Sequence, residues 1–200
     1  HHHTLFRQGL ATWTSGIVSA RVPGADLFVI KPAGLEHDVI APDTLVLLTL
    51  QGEVVEHTPG SQFAPSRGSG LHAAIYRAES HIGAIAHTHS PYAASFSLRG
   101  EHVPCVSTVM ADEFGGDIPV LAYDERADDD TLAAAVIAAP SRAVLLERHG
   151  LVAVGEHPRD VAERILRVQH VQQSVAAADQ RVAGVQGGVS RGALLQRAHP

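Results

Sequence analysis

Two histidines stand one residue apart in Ala86-His87-Thr88-His89-Ser90. The stretch from Gly83 to His89 alternates and reads as a β-strand. Side chains at i and i+2 of a strand leave the same face, so His87 and His89 can both point at one cation. Two imidazoles leave a tetrahedral or five-coordinate ion short of at least one protein ligand. His149, in the tight turn Arg148-His149-Gly150, is the best candidate for it, with Gly150 expected to let the backbone turn sharply beside the site. The same pair is also compatible with two surface histidines on an edge strand, and spacing alone does not bring His149 to it.

The chain holds 14 histidines, and the rest show no such pairing. His1, His2 and His3 read as the remnant of a purification tag rather than as ligands. His37, His57, His81, His102, His157, His170 and His199 read as surface residues, and His72 as a packed residue of a helix. With 200 residues, 45% of them hydrophobic and 18% charged, the chain has the composition of a globular protein, and residues 4–200 are expected to form one domain. A net charge of −6 gives no electrostatic help in binding nucleic acid or an anionic membrane. No apolar run approaches the roughly 18 residues of a membrane span. Cys105 is the only cysteine, which excludes an internal disulfide and fits a cytoplasmic protein.

The elements that must position the histidines are legible in outline. Leu27 to Ile30, Leu45 to Leu50, Ile118 to Ala122, Val144 to Glu147 and Leu151 to Val154 read as strands. Gln51-Gly52 predicts a turn, with Glu53 to Glu56 returning as a hairpin partner. Thr58 to Gly70, rich in Gly and Pro, is a loop. Helices are expected over Leu71–Glu79, from Ser90-Pro91 (Ser as N-cap, Pro at the first position) to Leu98, over Asp129–Ala138 and over Arg159–Ala183. Alternating strands and helices with one hairpin predict a layered α/β/α domain, its central sheet mixed and largely antiparallel.

Four stretches occur in the order seen in a known family: Ile30-Lys31-Pro32-Ala33-Gly34, then Pro65-Ser66 before Leu71-His72, then His87-Thr88-His89-Ser90-Pro91-Tyr92-Ala93, then Leu146-Glu147-Arg148-His149-Gly150-Leu151. Together they resemble the class II aldolase/adducin family, over roughly Gly9 to Ala183. The resemblance implies that His87, His89 and His149 bind zinc or another divalent cation such as Mn2+ or Co2+. It implies an aldolase or 4-epimerase-like reaction on a small hydroxyketone sugar or sugar phosphate, through a metal-stabilised enediolate. It also implies a homo-oligomer, commonly a cyclic tetramer with sites at subunit interfaces.

Departures from the family pattern bear on the reaction. The positions of its phosphate-binding residues correspond here to Gly16-Ile17, Ala33-Gly34 and Ser66-Arg67, where an Asn and two hydroxyls are replaced. Lys31, Gly34, Ser66 and Arg67 are the candidate substrate-binding residues, Arg67 offering a planar fork to a carboxylate or phosphate. The family carboxylate nineteen positions before the first metal histidine falls here on Gly68. Asp112 matches the epimerase catalytic Asp and is the candidate acid/base, with Glu113 as its backup. None of the three tyrosines, Tyr76, Tyr92 and Tyr123, lies in the tail, where the epimerases carry one. A non-catalytic, adducin-like binding or scaffolding protein with a retained metal site is the alternative.

Overall fold

The structure, a computed structural model, describes residues 1–124 and 126–174. Among these residues seven strands form one sheet in the order β3-β2-β1-β4-β7-β6-β5. They are β1 (Ile17–Arg21), β2 (Leu27–Ile30), β3 (Val46–Thr49), β4 (Ala84–Thr88), β5 (Val120–Leu121), β6 (Ala143–Leu146) and β7 (Gly150–Gly155). Only β5 and β6 pair in parallel; the other neighbours are antiparallel. The helices are α1 (His2–Arg7), α2 (Ser69–Ala78), α3 (Pro91–Arg99), α4 (Thr108–Phe114), α5 (Asp129–Ala138) and α6, which covers the last described residues, 158–174.

The two-residue period of the strands sorts their side chains into two cores. Ala84 and Ala86 of β4, Leu145 of β6 and Leu151 of β7 pack with Phe96 of α3, Met110 and Phe114 of α4 and Val161, Ile165 and Val168 of α6. Ile85, Val144, Leu146 and Val152 face the other way and pack with Leu71, Ile75 and Tyr76 of α2 and Val136 of α5. The result is the three-layered α/β/α arrangement with a mixed, mostly antiparallel sheet. All five residues of β4 are buried, because helices cover both faces of this central strand.

Several helix ends follow the sequence signals. Asp128 caps α5, accepting from the Thr131 N–H at 2.8 Å, and Gly100 closes α3 in the left-handed conformation. Ser90 precedes α3 at the N-cap position, but its hydroxyl makes no cap bond and is buried instead. The segment 53–56 does not form the expected hairpin strand. Its pairing stops at a bridge between Leu48 and Val54, with Thr49 N–H bonded to Glu53 O and Val55 N–H to Leu47 O. Strand β1 and helices α1 and α4 carry too little periodicity over so few residues to be read from the sequence. His2 and His3 belong to α1, where the His2 ring accepts from Val18 N–H at 3.0 Å and the His3 ring lies 2.9 Å from Ile40 O. Residues 175–183 of the expected last helix lie outside the described residues.

Candidate metal centre

Strand pairing brings the three histidines together. β4 runs antiparallel to β7 with His87 opposite Val152 and Thr88 opposite Leu151. The β6–β7 turn, which carries His149, therefore lies against the end of β4, where His89 leaves the strand. The three rings form a nearly equilateral triangle with centroids 4.9 Å apart on each side. One ligand nitrogen from each lies within 4.8 Å of the others, and His87 Nε2 is 3.1 Å from His89 Nε2. Tetrahedral zinc–nitrogen bonds of ~2.0–2.1 Å place donors about 3.4 Å apart, so small movements close these nitrogens on one ion. Among the described residues no other group of three His, Cys, Asp or Glu side chains has this geometry.

The turn is built differently from the expectation. Gly150 does not have a positive φ; the left-handed residue is Arg148, at φ 55°. What requires glycine at 150 is proximity, since a Cβ there would stand 2.5 Å from Thr88 O and 2.7 Å from His89 Cδ2. Backbone and ring approach so closely only because this residue has no side chain.

His87 is buried, His149 half-buried and His89 exposed, so the centre opens towards solvent on the His89 side. Burial, reinforced by the neighbouring His89, His149 and His72, pushes the His87 imidazole well below its ordinary pKa. Burial also lowers His89. Both rings are thus held neutral, the form that ligates metal. Tyr123 stacks on His149 with centroids 4.3 Å apart and planes inclined by 26°. The sequence carried no sign of that contact, which follows from the pairing of β5 with β6 that sets Leu121 beside Leu146.

A cavity of about 270 Å3 opens from His87 and His89, and all four candidate substrate residues line it: Lys31, Gly34, Ser66 and Arg67. Lys31 is buried; its ammonium donates to Thr14 O at 2.9 Å and Pro32 O at 3.2 Å, and burial lowers its pKa. Ser66 Oγ donates to Lys31 O at 2.6 Å, tying the two loops together. Arg67 is exposed and forms no hydrogen bond or ion pair with any described residue. Thr14 and Ser15, which no sequence signal marked, complete this wall, and among the described residues no carboxylate lines the cavity. His149 faces an open groove of about 450 Å3 shared with Tyr123, Asp124 and Arg148.

Asp112 and Glu113 are not brought to this cavity. Asp112 is exposed on α4. Glu113 accepts from Arg164 Nε at 2.7 Å and from Arg167 Nη1 at 2.5 Å, so it ties α4 to α6. A larger cleft of about 570 Å3 beside Phe114, Gly115 and Asp117 includes none of the three clustered histidines.

Known proteins share this fold. The family described as Class II Aldolase and Adducin N-terminal domain matches residues 1–175. The L-ribulose-5-phosphate 4-epimerase UlaF of Salmonella paratyphi B is 37% identical over 113 residues, which is 56% of this chain and 48% of that protein. The chain thus spans about half the length of the curated relatives it matches. An L-fuculose 1-phosphate aldolase structure superposes with a TM-score of 0.77 at 25% identity, covering 90% of this chain and 82% of that one. YgbL from Klebsiella pneumoniae superposes with a TM-score of 0.75 at 27% identity, covering 88% and 84%. By the match to nearly its whole length and by this fold, the chain belongs to the class II aldolase and adducin family.

Proposed function

We propose that the chain is a divalent-metal-dependent aldolase or epimerase-like enzyme for a small hydroxyketone sugar or its phosphate. The observation that carries this reading is the triangle of His87, His89 and His149, two of whose rings open into a cavity lined by Lys31 and Arg67. The names of similar proteins, L-ribulose-5-phosphate 4-epimerase and L-fuculose 1-phosphate aldolase, favour a phosphorylated sugar. The replaced residues at Ile17, Ala33 and Arg67 favour a changed anion, such as a carboxylate.

His87, His89 and His149 hold the ion, zinc in this reading, with Mn2+ or Co2+ as alternatives. A divalent ion there supplies Lewis acidity to a carbonyl oxygen and its neighbouring hydroxyl. Lys31 has one ammonium N–H left after its two backbone bonds and directs it at the anionic end of the ligand. Arg67 closes the cavity over the same end, and Gly34 and Ser66 shape its loops. Asp112 is the proposed proton carrier, with Glu113 as the alternative. Because Asp112 does not line the cavity of its own chain, this role needs a second copy of the chain to present it. A homotetramer in the cytoplasm is part of the same reading; the exposed Trp13, Leu98, Val106 and Val109 support association.

The test is metal analysis of the purified protein followed by a panel of free and phosphorylated hydroxyketones, scored for cleavage and for epimerisation. Stoichiometric metal with turnover supports the reading, and protein without metal ends it. That no carboxylate among the described residues lines the cavity favours a second reading, a non-catalytic adducin-like binding protein that keeps its metal. Stoichiometric metal without turnover across the panel selects that one.

A further inference from the structure

His87 presents Nε2 to His89, so Nε2 is its ligand atom and Nδ1 carries the proton when a cation is held. That Nδ1 is buried and has no hydrogen-bond partner. A second orphan lies on the same side of the sheet: Nε2 of His72 is also buried and unpartnered. Register places the two on one face of the sheet. Ile17 pairs with His87 and Ser19 with Ile85. Residues opposite one another and those two apart share a face, so all four side chains point to the α2 side. On that side Ser19 Oγ lies 2.7 Å from His72 Nδ1 and 2.7 Å from Tyr76 Oη. The N-terminus of α2 sits over Ile17, whose Cδ1 is 3.0 Å from the Cβ position of Gly68. His72, one turn in from Gly68 and bonded to Ser19, therefore lies on the face of the sheet that His87 also occupies, near enough for its charge to act on the His87 ring.

The chemistry of the two orphans is complementary. Ser19 has lone pairs for both Tyr76 O–H and His72 Nδ1–H, and a His72 that donates through Nδ1 keeps Nε2 as an acceptor. We propose that His72 is the positioning residue of the centre: its Nε2 accepts from His87 Nδ1–H, through one water or a small rotation of either ring, while Ser19 fixes the accepting tautomer. This rests on the reading of His87 as a ligand. The arrangement orients the His87 ring, raises its basicity towards the ion and satisfies both buried nitrogens.

Three variants test it, with zinc affinity measured by chelator competition and the His87 tautomer by imidazole nitrogen NMR of the metal-free protein. Wild-type protein that fails to bind zinc defeats the functional reading itself, before the variants are reached. Given wild-type binding, His72→Phe keeps an aromatic ring without an acceptor and is expected to weaken zinc by ~10–100-fold. His72→Gln, which places an amide near the Nε2 position, is expected to recover all but a few-fold. The wild type is expected to show the Nδ1–H tautomer of His87, and His72→Phe to lose that preference. Unchanged affinity in His72→Phe overturns the proposal, as does an equal loss in the Gln and Phe variants. If His72→Phe fails to fold, Ser19→Ala decides: weaker zinc binding supports the relay, and wild-type affinity overturns it.

Discussion

The Cδ1 atom of Ile17 stands 3.0 Å from the point that a Cβ at Gly68 would occupy. Two positions where this chain departs from the family pattern thus lie side by side, so a side chain placed at one bears on the other. With isoleucine at 17, a side chain at 68 requires the Ile17 terminal methyl to give way by a few tenths of an ångström.

A carboxylate restored at 68 alone is therefore expected to fail. Gly68→Glu should lose about 1–3 kcal/mol through overpacking against Ile17 and gain no turnover. The double variant with Ile17→Asn should recover stability and be the one in which aldol cleavage rises. Thermal unfolding and a substrate panel on both proteins check this. A single variant that is stable and active would show that Ile17 yields freely.

Removing a histidine of the triangle should empty the centre. His89→Ala, at the exposed side of the centre, is expected to keep its fold and lose bound metal by at least ~10-fold after dialysis. Metal content equal to wild type would remove His89 from the ligand set.

Gly150 should be intolerant of even one carbon. Gly150→Ala places a methyl against Thr88 O at 2.5 Å and His89 Cδ2 at 2.7 Å, so the β6–β7 turn must retreat from β4. The expected effect is a loss of roughly 1–3 kcal/mol together with weaker metal binding, because the same contact sets the distance from His149 to His89. Denaturant titration and metal competition on the variant measure the two effects. Wild-type values in both would mean that the turn moves without consequence.

Stability should fall with acid. Complete burial lowers the His72 pKa from 6.5 to about 3, and that of His87 is lowered as well. Unfolded, both rings take a proton near 6.5, so below that pH the unfolded state binds more protons. The stability from neutral His72 is full above pH 6.5 and declines from there towards about 3, at ~1.4 kcal/mol per pH unit. Denaturant titration of metal-free protein across that range tests it, with a shallower slope expected in His72→Phe. A flat profile in the wild type would contradict the buried, neutral state.

Glu113 should act on stability first. Its carboxylate joins Arg164, only 10% exposed, to Arg167, and Glu113→Gln removes the charge those guanidiniums share. A loss of about 1–3 kcal/mol with unchanged metal content is expected from unfolding and metal measurements. A variant as stable as wild type but inactive would instead favour Glu113 as the proton carrier.

By itself the sequence determined several local elements and the candidate residues of the site. Strand β2 and helix α5 fall on their expected residues, because apolar period and capping residues act over a few positions. The His-Thr-His spacing marked the candidate ligand pair, and the family resemblance marked His149, Lys31, Gly34, Ser66 and Arg67 as candidates beside it. The tertiary structure alone decided what meets what. Pairing of β4 with β7 closes a gap of sixty residues between His89 and His149, and pairing of β5 with β6 lays Tyr123 on His149. Register and helix packing likewise set Ile17 beside Gly68 and Ser19 against His72, and kept Asp112 and Glu113 out of the cavity. Such contacts depend on which strands lie side by side, and that choice is made by burying both faces of the sheet at once rather than by any local run of residues.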